Sequence, residues 1–145
     1  MKTVVMLSVL TAIMTTTAVE TRSQSTDTKS AIKATLAYEV LIVKRAALKT
    51  ELLVQRERFT SDHPDVQRTN HELALLNNEI ERLLLTPTSQ MSKLSGVYGD
   101  LLLRKIDLQA EAHQLRSQVT STHPELRRKQ IEIMSVQQEI EDLLR

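Results

Sequence analysis

The chain has 145 residues, room for one ordinary domain, with only two glycines, three prolines and 2% aromatics. So little turn chemistry excludes a β-sandwich or barrel. The predominance of Leu, Ala, Glu, Gln, Lys and Arg instead predicts an all-α fold with an aliphatic core. The net charge is +1 and cysteine is absent, which leaves no disulfide or thiol chemistry and no basic excess to attract nucleic acid.

Residues 1–18 read as a signal peptide: Lys2, an apolar run over 4–14, and the small residue Ala18 before the expected cleavage. Counted generously, the apolar stretch spans 4–19, short of the ~20 residues that cross a bilayer. Export is therefore expected, most naturally to the periplasm, with membrane attachment only through an uncleaved leader. Loss of Lys2 would leave 18 basic and 18 acidic residues, again no signature of a nucleic-acid partner. Residues 19–30, rich in Ser and Thr without apolar periodicity, read as a flexible leader.

Beyond the leader, a shift of sixty superimposes 38–85 on 98–145 without a gap. The identities include Tyr38/Tyr98, Leu41/Leu101, Leu48/Leu108, Glu51/Glu111, Arg56/Arg116, Glu72/Glu132 and the turn stretches TSDHP and TSTHP. A tandem repeat with one supersecondary unit per copy is expected. Helical hairpin 1 is assigned to 31–86, a connector to 87–97 and hairpin 2 to 98–145.

Within each copy, apolar residues alternate at three and four, the spacing of a coiled-coil seam. The first copy supplies Leu41, Leu48, Leu52 and Phe59 before the turn, then Val66, Leu73, Leu76, Ile80 and Leu83 after it. The second supplies Leu101, Leu108, Leu115 and Val119, then Leu126, Ile133, Val136, Ile140 and Leu143. If the chain doubles back, Phe59 faces Val66, Leu52 faces Leu73, Leu48 faces Leu76 and Leu41 faces Leu83, all in one phase. The pattern predicts four long helices in two tandem antiparallel hairpins.

The doubled turn has a local explanation. Pro64 and Pro124 end the incoming helix and suit the first position of the next. Asp65 and Glu125 then sit in a first turn, where a carboxylate meets unpaired N–H groups. His63 and His123 fall at the N-cap. Arg45 and Lys105 interrupt the seam, and the reversal register predicts ion pairs from Arg45 to Glu79 and from Lys105 to Glu139.

Ile42, Val43, Leu84, Leu85, Leu102, Leu103 and Leu144 thicken the apolar end opposite the turns. An isolated hairpin could not bury them. Either the hairpins pack together at this root or the chain associates with a protein partner or itself through apolar helix faces.

No catalytic constellation is visible. HELAL at 71–75 lacks the second histidine of H-E-x-x-H, since position 75 is Leu. Glu79 and Glu81, like Glu139 and Glu141, are two apart and face different ways on a helix. His71 and His113 have no histidine sixty residues away (Ile131 and Leu53 stand there) and read as ordinary exposed or half-buried helix residues. His63 and His123, with Asp65 or Glu125, are the only metal-ligand candidates, fewer than the four protein ligands of a structural zinc. The sequence predicts no enzyme, no cofactor and no metal site.

Thr60, His63, Pro64, Asp65, Val66 and their copies Thr120, His123, Pro124, Glu125, Leu126, followed by Leu and Ile at heptad spacing, carry a family likeness. They resemble the helical-hairpin segment of the periplasmic coiled coil in polysaccharide chain-length determinant and exopolysaccharide-export (co-polymerase) proteins. Phe59 matches that family's aromatic before the turn; Val119 does not. The family's two membrane spans and its kinase have no counterpart here. What the resemblance implies is a hairpin scaffold in the cell envelope that is able to oligomerise, with a link to polysaccharide export, and no co-polymerase activity. A weaker likeness, in size, signal peptide and the Leu115–Arg116 pair, is to small periplasmic helical-hairpin stress proteins. It implies a stress chaperone or metal-responsive protein as the alternative.

Overall fold

Helix after helix in this chain starts at a residue whose side chain can accept a backbone N–H. Thr35 Oγ1 and Ser95 Oγ accept from the amides of Tyr38 and Tyr98, each at 3.3 Å. His63 and His123 do the same through Nδ1, accepting from Asp65 and Glu125 at 3.3 Å. Each cap satisfies one of the donors that a helix N-terminus leaves open.

A computed structural model describes residues 27–145. The expected signal peptide, 1–18, and residues 19–26 of the expected leader lie outside the described residues. Among the described residues the fold is all-helical, with no strand. A short α1 over 27–33 leads into α2 (Leu36–Arg58) and α3 (Pro64–Leu83). A 3-10 helix (Thr88–Lys93) connects these to α4 (Gly96–Gln118) and α5 (Pro124–Leu144).

Two boundaries differ from the sequence expectation. Residues 27–30 are helical rather than flexible leader, on the same helix as Ile32, which is fully buried in the core. The connector is not a plain loop: its 3-10 turn delivers Leu94 into the core, and Lys93 Nζ donates to the Leu144 carbonyl at 2.7 Å. A cation there stabilises the open carbonyl end of α5.

The helices are not packed symmetrically. α2 lies on α3, α4 lies on α5, and α2 and α3 both contact α4. Helix α4 is therefore central, whereas α5 leans on α4 and, at its end, on the 3-10 helix. Helices α2 and α4 run parallel: a Cβ on Gly99 would stand 3.0 Å from Ala37 Cα, while Lys44 Nζ reaches Asp107 Oδ1 at 3.4 Å further along. Both histidine–proline turns consequently lie at one end.

The core sits toward the opposite end. Ile32, Ala37, Leu41 and Leu48 meet Leu76, Ile80 and Leu83, together with Leu94, Tyr98, Leu102, Ile106 and Ile140. Of the residues expected to thicken this root, Ile42, Leu84, Leu103 and Leu144 pack against the core and Leu102 is buried within it, but Val43 and Leu85 stay exposed.

Candidate functional site

Helix α3 meets α4 through two polar contacts. Glu79 Oε1 takes Lys105 Nζ at 2.7 Å, and the His71 and His113 rings stack at 3.9 Å with 22° between planes. Eight residues forward on α4 correspond to eight residues back on α3, so these helices run antiparallel.

The Glu79–Lys105 pair is largely buried, with side chains 10% and 8% exposed. Lys105 Nζ also donates to Gln137 Oε1 of α5 at 3.2 Å, and Glu79 accepts from Arg82 at 3.3 Å. One ammonium thereby ties α3 and α5 to the helix between them. Burial, and next the Glu79 charge, raises the pKa of the neighbouring Tyr98.

This arrangement replaces the expected ion pairs. Glu79 bonds Lys105 rather than Arg45, and neither Arg45 nor Glu139 makes an ion pair among the described residues. The reversal register assumed that each seam cation looks within its own copy. The neighbouring copy offers Lys105 a closer acid, and burial favours the pair that is more completely hydrogen-bonded.

A second polar tie joins three helices. Lys44 Nζ lies 2.8 Å from Glu72 Oε1 and 3.4 Å from Asp107 Oδ1. Burial opposes the Lys44 charge, yet the two carboxylates outweigh it and raise its pKa. Sixty residues on, Arg104 faces Glu132 at 3.9 Å, and Lys129 bonds Glu111 at 2.7 Å. The hydrogen bond that Lys129 donates to Glu111 is the main reason that its pKa is raised.

Beside the histidine stack runs a groove of about 530 Å³ between α3, α4 and α5. Leu75, Ala112, Ile133 and Met134 give it apolar walls; the two histidines and Arg116 give it polar edges. Desolvation, and secondarily His113, lowers the His71 pKa below its ordinary value. From the sequence these two histidines read as unrelated helix residues, exposed or half-buried, because neither is repeated; His71 is half-buried and His113 exposed, and only the crossing of α3 over α4 brings them together. With two imidazoles stacked face to face, their lone pairs do not converge on one point. No group of three or more His, Cys, Asp or Glu side chains among the described residues is placed to hold a metal ion.

The turn histidines are engaged locally. His63 Nδ1 caps α3, lies 3.6 Å from Asp65 Oδ2, and its ring stacks on Phe59 at 4.0 Å. His123 caps α5 in the same way, without an aromatic neighbour because position 119 is Val. Among the seam residues, Leu41, Leu48, Leu52, Val66, Leu76, Ile80, Leu83, Leu108, Leu126 and Ile140 are buried. Leu73, Leu101, Leu115, Val119, Ile133 and Val136 are half-buried, while Phe59 and Leu143 are exposed. Phe59 spends its ring on the turn instead of the seam.

No helix among the described residues is long and apolar enough to cross a membrane. No protein-family model, curated protein or solved structure matches this chain.

Proposed function

We propose that this chain is an exported, non-enzymatic scaffold of two tandem antiparallel helical hairpins, a structural and interaction module of the cell envelope that presents helix faces to protein partners. The observation that carries the reading is the repeated cross-helix ion pair. Lys44–Glu72 in the first copy and Arg104–Glu132 in the second occupy positions sixty apart, as two copies of one hairpin in one register would require. The Arg56–Asn70 hydrogen bond at 3.3 Å near the first turn runs in the same sense. Large apolar side chains left in solvent, Leu53, Val54, Ile131 and Met134, supply faces that a partner can cover. The likeness of the turns to the chain-length determinant coiled coil is what supports a link between such a module and polysaccharide export. The alternative, a periplasmic stress chaperone or metal-responsive protein, has in its favour only that the His71 and His113 imidazoles are adjacent, although their stacking does not aim both lone pairs at one ion.

One set of variants tests both parts. The chain has no cysteine, so Arg56→Cys with Asn70→Cys should be bridged within one chain by a bismaleimide whose span matches the reach of the Arg56–Asn70 contact. Absence of that cross-link in a folded chain would refute the hairpin. Zinc and copper titrations of the wild type should show no tight site. Submicromolar binding that disappears in His71→Ala/His113→Ala would replace the scaffold with a metal-responsive protein.

A further inference from the structure

The α3–α4 interface has a bare duplicate on the outside of the molecule. The four side chains that make its polar contacts have counterparts sixty positions away: Glu79 in Glu139, His71 in Ile131, Lys105 in Arg45, His113 in Leu53. The counterparts of the α3 residues lie on α5, and those of the α4 residues lie on α2. Glu139 is exposed and Arg45 half-buried, neither with an ionic partner among the described residues. Ile131 is 67% exposed and Leu53 65% exposed.

Burial along the helices tells the same story. Helix α3 buries seven residues, Val66, Thr69, Glu72, Leu76, Glu79, Ile80 and Leu83, whereas α5 buries only Leu126 and Ile140. Leu83 is 2% exposed and its counterpart Leu143 is 39% exposed. The central α4 buries eight residues against four on α2. In a stacked repeat each unit is covered by its neighbours, and terminal units need polar outer faces to remain alone. Here the last helix of the second copy and the first helix of the first copy both keep apolar residues in solvent.

We infer that the partner is a second copy of this chain, docked head to tail with its α2 antiparallel on α5 of the first. The pairing sets Glu139 against the second copy's Arg45 and Ile131 against its Leu53, so acid meets base and the stacked histidines are replaced by an aliphatic contact. Complementarity thus survives the substitution at both ends of the interface, as opposite charge at one and apolar contact at the other. The parallel α2–α4 crossing is not reproduced: Gly99, which has no room for a Cβ, corresponds to Glu39, and Asp107 corresponds to Ala47. The second copy therefore rests on α5 alone, through one helix pair, and the association is weak and concentration-dependent. A head-to-tail contact closes into a ring or continues as a filament according to its rotation. This inference rests on the tandem-hairpin scaffold and names the scaffold's partner.

The test is sedimentation of the full chain over a concentration series, with charge-swapped variants. The wild type should associate. Glu139→Arg and Arg45→Glu should each weaken association roughly tenfold, as should Ile131→Glu, with helicity unchanged by circular dichroism. A mixture of Glu139→Arg with Arg45→Glu should associate again, since each copy then meets an opposite charge. Register is read separately: mixed Ile131→Cys and Leu53→Cys chains should form a disulfide-linked heterodimer, and Ile131→Cys mixed with Ala47→Cys should not. A chain monomeric at all concentrations overturns the second-copy partner while leaving the hairpin cross-link, and so the scaffold, intact. Association indifferent to all three substitutions places the contact elsewhere, the N-terminal segment included, and equally overturns it.

Discussion

His63 and His123 show how a residue type that suggests chemistry can serve geometry. Each offers an unprotonated Nδ1 to the amide two residues on, which the ring can do only as the Nε2–H tautomer. Replacing either by Ala should cost about 0.5–2 kcal/mol in chemical denaturation, and Asn at the same position should recover most of it. Equal loss with Asn and Ala would show that capping is not the role. For Lys105 and Glu79 the concern is a stranded charge. Lys105→Met should destabilise by about 3–5 kcal/mol because Glu79 remains buried, and the Lys105→Met/Glu79→Leu double variant should regain most of that. A double-mutant cycle with no coupling would remove the pair from the account. His71 adds a pH dependence. Its folded pKa lies below the ordinary 6.5, so as pH falls through that value the unfolded chain takes up the proton first. That part of the stability is complete above about pH 7 and is lost on acidification toward the folded pKa. His71→Gln, still flanked by His113 and Arg116, should show a smaller loss of denaturation midpoint between neutral and mildly acidic pH.

At the scale of elements, the parallel α2–α4 contact depends on one absent side chain. A Cβ on Gly99 would approach Ala37 Cα at 3.0 Å, with the Ala37 carbonyl oxygen and Val40 Cβ both at 3.2 Å. Two of these are backbone atoms that cannot rotate away. Alanine in a helix interior is ordinarily worth up to ~1 kcal/mol over glycine, but overpacking of this kind costs about 1–3 kcal/mol. Gly99→Ala should therefore be net destabilising by thermal melting. At Gly96 the nearest atom, Leu36 Cβ, is 4.0 Å away, and Gly96→Ala should be neutral or slightly stabilising. If both substitutions raise the melting temperature, the close crossing does not exist. This role of Gly99 is visible only in the packed chain, since a residue's closest neighbour across a parallel helix pair leaves no trace in periodicity.

For the molecule as a whole, the arrangement is three helices around a shared core with a fourth long helix leaning on one of them. That imbalance explains why two copies of one pattern differ so much in burial. The proposed self-association follows the same imbalance: added mass should accumulate with concentration, and Ile131→Glu should suppress it more than Val97→Glu, an exposed apolar site on α4 that lies outside the proposed contact.

The helical class, the placement of both turns and the capping role of the histidines were legible in the sequence because each is set by residues within a few positions. Heptad spacing also marked most of the buried leucines, since a helix buries whatever lies along one stripe. Which helix faces which was another matter. Lys105 found Glu79 instead of Glu139, and His71 met His113, because such partners are chosen between elements, where competing registers differ by a few side-chain contacts. Local spacing determines the stripe; only the packed molecule decides what covers it.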